Sequence, residues 1–359
     1  MSQQIPVAAL ALGLALSAPG YGLLALRAPG RGLQPTGERE NPKVEARRPK
    51  SEAHSREPEA RRPYVPPRTP WGDPDIQGMW PSGSMTGVPF ERPESLGDRS
   101  ELTDEEFSRR EKAVEVQRTG SFVIGAWGEP GRAQRQTSLI VEPRNGRLPP
   151  MTPEGERRSR FLRSSWQDIW FDSVSDLDTW DRCITRGLLP SMLPAQYSNG
   201  IQIHQSPGYV VIRNEMIHEN RIIPLDGRPH VGARITSYMG DSRGHWEGTT
   251  LVVETTNFNG RTAATNPGTT GSPQQNNIPT SEQMNIVERL TRTSPDTIQY
   301  EATVRDPVVF VAPYKVSYPL KYEPDYQLFE YSCHDGNYAL KNLITGSQAE
   351  LAALRKTGE

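Results

Sequence analysis

Cysteine is nearly absent: Cys183 and Cys333 are the only two in 359 residues. Neither has a C-x-x-C neighbour, which excludes thiol-redox and zinc-ribbon chemistry. A charge surplus is lacking as well. The formal net charge of −2 leaves no bulk field to recruit nucleic acid or an anionic membrane surface, so neither is expected as a partner on that ground. There is no H-E-x-x-H, no H-x-H pair and no EF-hand loop, and no metal site is expected. There is also no G-x-S-x-G nucleophile elbow and no Gly-rich loop between a strand and a helix, so no organic cofactor is called for. Apolar residues are scarce, at 34%, beside 31 glycines and 33 prolines. That much turn chemistry rules out a helical bundle and suits short strands with an unstructured segment.

Long apolar runs are confined to the N-terminus. Ile5 to Ala18 reads as the core of a secretory signal, and "LSAPG" offers small residues for cleavage, although no Lys or Arg precedes it. The apolar run resumes at Leu23, so residues 1–26 are expected to be a signal peptide or an uncleaved anchor ending before Arg27. Membrane contact is expected only through that segment. The location expected is exported, periplasmic or extracellular, where Cys183 and Cys333 would pair as a disulfide. Residues 27–68 mix Arg, Pro, Glu and Ser and cannot bury enough surface to order themselves. They are expected to be a disordered tether, with glutamates cancelling much of the arginine charge.

Residues 69–359 are expected to form a single β-rich domain with a helical N-terminal wrap. Thr103 and Glu106 make a capping box for one helix, and Thr152-Pro153 opens another. Aromatics mixed with Asp168, Asp172, Asp176 and Asp178 predict an irregular cover over a core. From Gly200 the pattern turns to strands: "IQIHQ", "YVVIRNEMIHENRIIP", "TLVVETTNF", "MNIVERLTR", "TIQYEATV", "VSYPLKYEP" and "QLFEYSCH". Short turns between them imply an antiparallel meander, closed as a barrel or strongly curved as a sheet. "GSQAELAALRK" predicts a terminal helix capped by Ser347.

Gly78-x-Trp80 in "DIQGMW" resembles the first-strand signature of the calycins, the lipocalin-like barrels. That resemblance implies a barrel whose tryptophan closes one end and whose interior takes a small, often apolar molecule, with Trp80 as a ligand-binding residue. The stretches "GYVVIRNEMIHENRIIPLDGRPH", "GDSRGHWEGTTLVVETTNF" and "YSCHDGNYALKN" resemble a family of exported bacterial proteins of uncharacterised function. That likeness spans about four-fifths of the chain and carries no assigned activity or functional residue.

The densest chemistry lies in "MIHENRIIPLDGRPH". His218, His230 and Asp226 are the candidate catalytic residues: imidazoles move protons near neutral pH and a carboxylate orients them. Arg221 and Arg228 are candidate ligand-binding residues, suited to a carboxylate or oxyanion. His218 and Arg221 would face opposite sides of a flat strand unless a bulge intervenes. Asp226-Gly227 is also an ordinary turn pair. Asp241 and Arg243, in "GDSRGHWEG" with His245 and Glu247, could point into a barrel mouth, or serve as solvated turn residues with surface ion pairs. If the cysteines pair, His334 would converge with Asp181 and Arg182. The function expected is binding of a small organic molecule in a barrel-mouth pocket lined by His, Arg and Asp. Alternatives are an enzyme on that scaffold using histidine acid–base chemistry for hydrolysis, elimination or isomerisation, and a cell-envelope interaction protein without a pocket.

Overall fold

The computed structural model describes residues 64–120, 132–162, 170–195, 197–261 and 278–357. The signal or anchor, the tether up to residue 63, and the loop "NPGTTGSPQQNN" lie outside them. The described chain enters the fold at Tyr64, and the Pro67 carbonyl accepts a hydrogen bond from Asp75 N at 2.8 Å. Among the described residues no helix is long and apolar enough to cross a membrane.

In chain order the elements are β1 (Gly78–Met79), α1 (Asp104–Gly120), β2 (Ile140–Glu142), α2 (Pro153–Phe161), α3 (Leu188–Met192), β3 (Ile201–Ser206), β4 (Tyr209–Asn214), β5 (Asn220–Pro224), β6 (Asp241–Glu247), β7 (Thr250–Thr256), β8 (Asn285–Ser294), β9 (Thr297–Arg305), β10 (Tyr314–Lys321) and α4 (Ala339–Thr357). Two of the three expected caps form. Glu106 N donates to Thr103 Oγ1 at 3.3 Å while Thr103 N donates to Glu106 Oε2 at 2.9 Å, satisfying two orphan amides at the start of α1. Thr152 Oγ1 accepts from Gly155 N at 3.0 Å, with Pro153 in the first turn of α2.

The protein is mainly β. Strands β1-β3-β4-β5 make a four-stranded sheet and β2-β10-β9-β8-β7-β6 a six-stranded one, every neighbouring pair antiparallel. From β3 to β5 and from β6 to β10 sequential strands are partners; tight turns join β3 to β4, β6 to β7 and β8 to β9, while residues 257–284 separate β7 from β8. The alternation in "TIQYEATV" holds: Ile298, Tyr300, Ala302 and Val304 are buried. They join Trp80, Ile203, Ile212, Ile223, Val253, Leu290 and Tyr318 in one core cluster drawn from both sheets. The hydrogen-bonded ladder stops between β5 and β6, yet these strands touch. A Cβ on Gly244 would lie 2.8 Å from Ile223 and Leu225 side-chain carbons, so only glycine allows that approach. Gly78 likewise has φ +129°, and a Cβ there would meet the Tyr322 ring at 2.5 Å.

Three expectations are corrected. "YVVIRNEMIHENRIIP" is not one strand: it breaks after Asn214 into a 3₁₀ turn, Met216–His218, in which Ile217 and His218 adopt positive φ. The buried Glu215 carboxylate accounts for the break. It accepts from Gly200 N at 3.1 Å, Tyr326 Oη at 2.6 Å and Phe329 N at 3.1 Å, pulling the chain out of the sheet. "QLFEYSCH" adds no strand; the sheet ends at Lys321 and this segment runs on as irregular chain, held partly by the bond from Phe329 N to Glu215. Ser347 caps nothing. Helix α4 starts at Ala339, whose N–H is accepted by Asn337 Oδ1 at 3.0 Å, and Ser347 is buried mid-helix, its Oγ accepting from Phe171 N at 2.6 Å.

Candidate functional site

Loop 225–240 brings three of the expected residues together. His230 Nδ1 donates to Asp241 Oδ2 at 2.9 Å, and the same oxygen accepts Val231 N at 3.1 Å. Arg243 pairs with Asp241 Oδ1 at 3.1 Å and donates from Nε to the Pro229 carbonyl at 3.2 Å. His230 Nε2 lies 3.9 Å from Glu254 Oε2. Asn257 Nδ2 holds the loop's far side through the carbonyls of Val231, Gly232 and Ile235. Alternation along β6 decides where this rim sits. Ser242 and Gly244 are the buried positions, so Asp241 and Arg243 occupy the sheet's other face and do not line its interior. The arrangement is first a loop clamp, and second a carboxylate-oriented imidazole.

The other expected residues lie apart. His218 is exposed on the 3₁₀ turn and Arg221, buried, faces the core. Asp226 and Arg228 are spent on each other at the surface: Asp226 Oδ1 accepts Arg228 N at 3.1 Å and Oδ2 accepts Arg228 Nε at 2.6 Å, which holds the Asp226 carboxyl below its usual range. His334 is exposed, next to the Cys183–Cys333 bond that also carries Arg182, and its imidazole has no hydrogen-bond partner among the described residues. Trp80 is fully buried; its Nε1 donates to Ile76 O at 2.9 Å and its ring packs on Tyr322 at 5.0 Å.

Two arrangements escaped the sequence reading. The first is the partner of Arg221: both its terminal nitrogens donate to the Glu288 carboxylate, which also accepts Tyr300 Oη at 2.9 Å. Glu288 sits between Ile286 and Leu290 on β8, and period-two alternation places it inward, a signal available in "NIVERL". Burial, reinforced by the Glu288 charge, pushes the Tyr300 hydroxyl well up, so it remains a donor.

The second is a cleft in the cover. Cys183 and Cys333 form a disulfide, Cα–Cα 5.8 Å, which ties this cover to the C-terminal segment. A cavity of about 310 Å³ opens beside it, lined by Phe161 and Leu162 at the end of α2, by Ser175 to Thr179, by Arg182, and by Gly260-Arg261 beyond β7. Two of its lining residues carry polar atoms, Thr179 Oγ1 and Arg182 Nε, that are buried behind the cavity surface without a hydrogen-bond partner. Neither Arg182 nor Arg261 has a carboxylate within ion-pair distance among the described residues. Asp178 Oδ1 accepts Asp181 N at 2.8 Å. Burial, then the Asp181 charge, raises the Asp178 carboxyl to about 7, against which Arg182 works only weakly. Among the described residues no group of three His, Cys, Asp or Glu side chains is placed to hold a metal.

No family model matches the chain, and no curated protein or solved structure matches it either. The chemistry of the cleft therefore rests on its own residues. A carboxyl poised near neutrality exchanges a proton under ordinary conditions, while two guanidiniums supply fixed positive charge.

The raised Asp178 carboxyl has a thermodynamic consequence. The folded form keeps a proton that the unfolded form releases near 3.8, so Asp178 lowers stability as pH climbs from about 4 through about 7. Asp178→Asn keeps the acceptor for Asp181 N and is expected to stabilise the protein at about pH 8 by roughly 2 kcal/mol, a figure discounted for partial exposure, with little effect near about pH 4. Urea melts at the two pH values measure this. A variant less stable than wild type at the higher pH would refute it.

Proposed function

We propose that the chain is an exported β protein that binds a small organic molecule, received in the cleft between Leu177 and Arg182 and not at the His230 rim. The observation that carries this reading is the 310 Å³ cleft with two buried polar atoms that no protein group satisfies. Its size lies at the lower end of small-molecule sites, roughly 300–1,000 Å³. Buried polar atoms left unpaired cost free energy, and a ligand that turns the Arg182 and Thr179 side chains toward itself recovers it.

A lipocalin-like barrel is supported by the meander, by the core common to both sheets, and by the Glu323 N to Met79 O bond of 3.0 Å that links the end of β10 to β1. The space between the sheets is taken by Trp80, Tyr300, Tyr318 and the Arg221–Glu288 pair, which moves the ligand out to the cover. Export is supported by the apolar run Ile5 to Ala18 and by a disulfide compatible with an oxidising compartment.

One observation favours the enzymatic alternative: His230 is oriented through Nδ1 by Asp241, leaving Nε2 as the working nitrogen. A thermal-shift screen of small organic compounds against wild type, Ser175→Trp and His230→Ala separates these readings. Compounds that raise Tm of the wild type should lose their effect in Ser175→Trp, which fills the cleft from an exposed position, and keep it in His230→Ala. The reverse pattern moves the site to the rim. No stabilising compound at all would favour the interaction protein without a pocket.

A further inference from the structure

We propose that the cleft captures an organic monocarboxylate, its carboxylate gripped between Arg182 and Arg261 and its apolar body laid against Phe161, Leu162 and Leu177. This deepens, and rests on, the reading of the cleft as the ligand site.

The wall has two chemistries in the arrangement such a molecule needs. Arg182 and Arg261 line the same cavity from distant parts of the chain, and no carboxylate among the described residues occupies either guanidinium at ion-pair distance. Arg182 Nε is a buried donor with no acceptor. A ligand carboxylate supplies acceptors for several guanidinium N–H groups at once, and charge-assisted bonds of this kind are about twice as strong as neutral ones. Thr179 Oγ1 adds an unpaired hydroxyl just behind the same lining. Opposite chemistry comes from Phe161, 72% exposed, and half-buried Leu162, with the buried Leu177 at the base: apolar surface at a cavity otherwise polar.

Charge balance favours a monoanion over a dianion, since with Asp178 protonated the two arginines only just offset Asp176 and Asp181. The groups facing the cleft are Arg182 and Arg261 on one side of the ledger, and Asp176 and Asp178 with the neighbouring Asp181 on the other. Asp176 directs Oδ2 at the amides of Asp172 and Ser173, 2.9 and 3.0 Å away, so its charge serves that turn. Asp178 is neutral below about pH 7 and can then donate a proton to a ligand oxygen. A phosphate dianion would face more negative charge than two arginines offset, and a cation would meet both guanidiniums directly. Once Asp178 ionises, its charge opposes the bound carboxylate, so capture should weaken as pH rises.

The test is an amide-resonance NMR titration of the full exported chain with acetate, hexanoate and benzoate, each beside its neutral amide. It is run at about pH 5.5 and about pH 8.5, on either side of the Asp178 transition. Expected are shifts at Leu177–Arg182 and Gly260–Arg261 with hexanoate or benzoate, binding at least about tenfold tighter than the amides, the worth of one charge-assisted bond. Arg261→Gln, at an exposed site that does not risk the fold, should weaken binding about tenfold, as should Arg182→Gln if it folds. Affinity should fall at the higher pH in wild type and not in Asp178→Asn. Amides that bind the cleft as well as their acids would overturn the monocarboxylate while leaving the cleft as a ligand site. If neither acids nor amides shift cleft resonances, both readings fall. Binding indifferent to pH in wild type would remove Asp178 from the mechanism of capture.

Discussion

Glu288→Ala is expected to lower the unfolding free energy by about 3–5 kcal/mol, the cost of stranding a buried charge. Arg221 and Glu288 have side-chain exposures of 5% and 0%, so water cannot replace the lost partner. Desolvation works against the Arg221 guanidinium, yet Glu288 outweighs it and leaves the group more firmly protonated than usual. Tyr300 would lose its acceptor in the same stroke. Arg221→Met should cost a similar amount. The double variant Arg221→Met/Glu288→Leu should recover most of the loss, because well-packed apolar replacements remove both desolvation penalties together. Guanidinium chloride melts of the three variants decide this. Single variants within about 1 kcal/mol of wild type would mean that solvent reaches the pair and that the interior is not packed as described.

Removing the disulfide comes next in size. Cys183→Ser/Cys333→Ser opens a loop of 150 residues containing most of both sheets. In the chain-entropy picture that releases the unfolded chain by about 5 kcal/mol, an upper figure if the reduced chain keeps residual structure. The folded side should also suffer, because the bond joins the cover around Asp178 to the segment that buries Glu215. Wild type under strong reductant should match the double serine variant in chemical denaturation. Equal midpoints for oxidised and reduced protein would contradict the claim that this bridge holds the cover in place.

The sheets were legible where residues alternate and turns are short. "TIQYEATV" carries its inside and outside in the sequence, and "TLVVETTNF" carries β7, whereas Asp241 to Glu247, open to a reading as turn residues, form strand β6 ahead of Gly248 at φ +62°. The caps at Thr103 and Thr152 and the cysteine pairing were legible for the same reason: each depends on few residues of restricted chemistry. The failures came where distant groups overrule local pattern. Nothing near Glu215 announces that Tyr326 and Phe329 will bond to its carboxylate, and that contact breaks the long strand expected around His218. The rim was half visible, since His230, Asp241 and Arg243 do meet, but on the sheet's outer face. The cleft had no local signature at all. Its wall joins the end of α2, an irregular stretch rich in aspartate, and Arg261 beyond β7, and only folding shows that Asp178 is shielded enough to hold its proton.

The most direct measurement is a map of amide chemical-shift changes caused by the strongest stabilising compound from the thermal screen. Shifts concentrated at Phe161–Leu162, Ser175–Arg182 and Gly260–Arg261, and abolished in Ser175→Trp, are the expected result. Shifts confined to Val231–Glu254, or surviving unchanged in Ser175→Trp, would place the ligand elsewhere and contradict the assignment of the cleft.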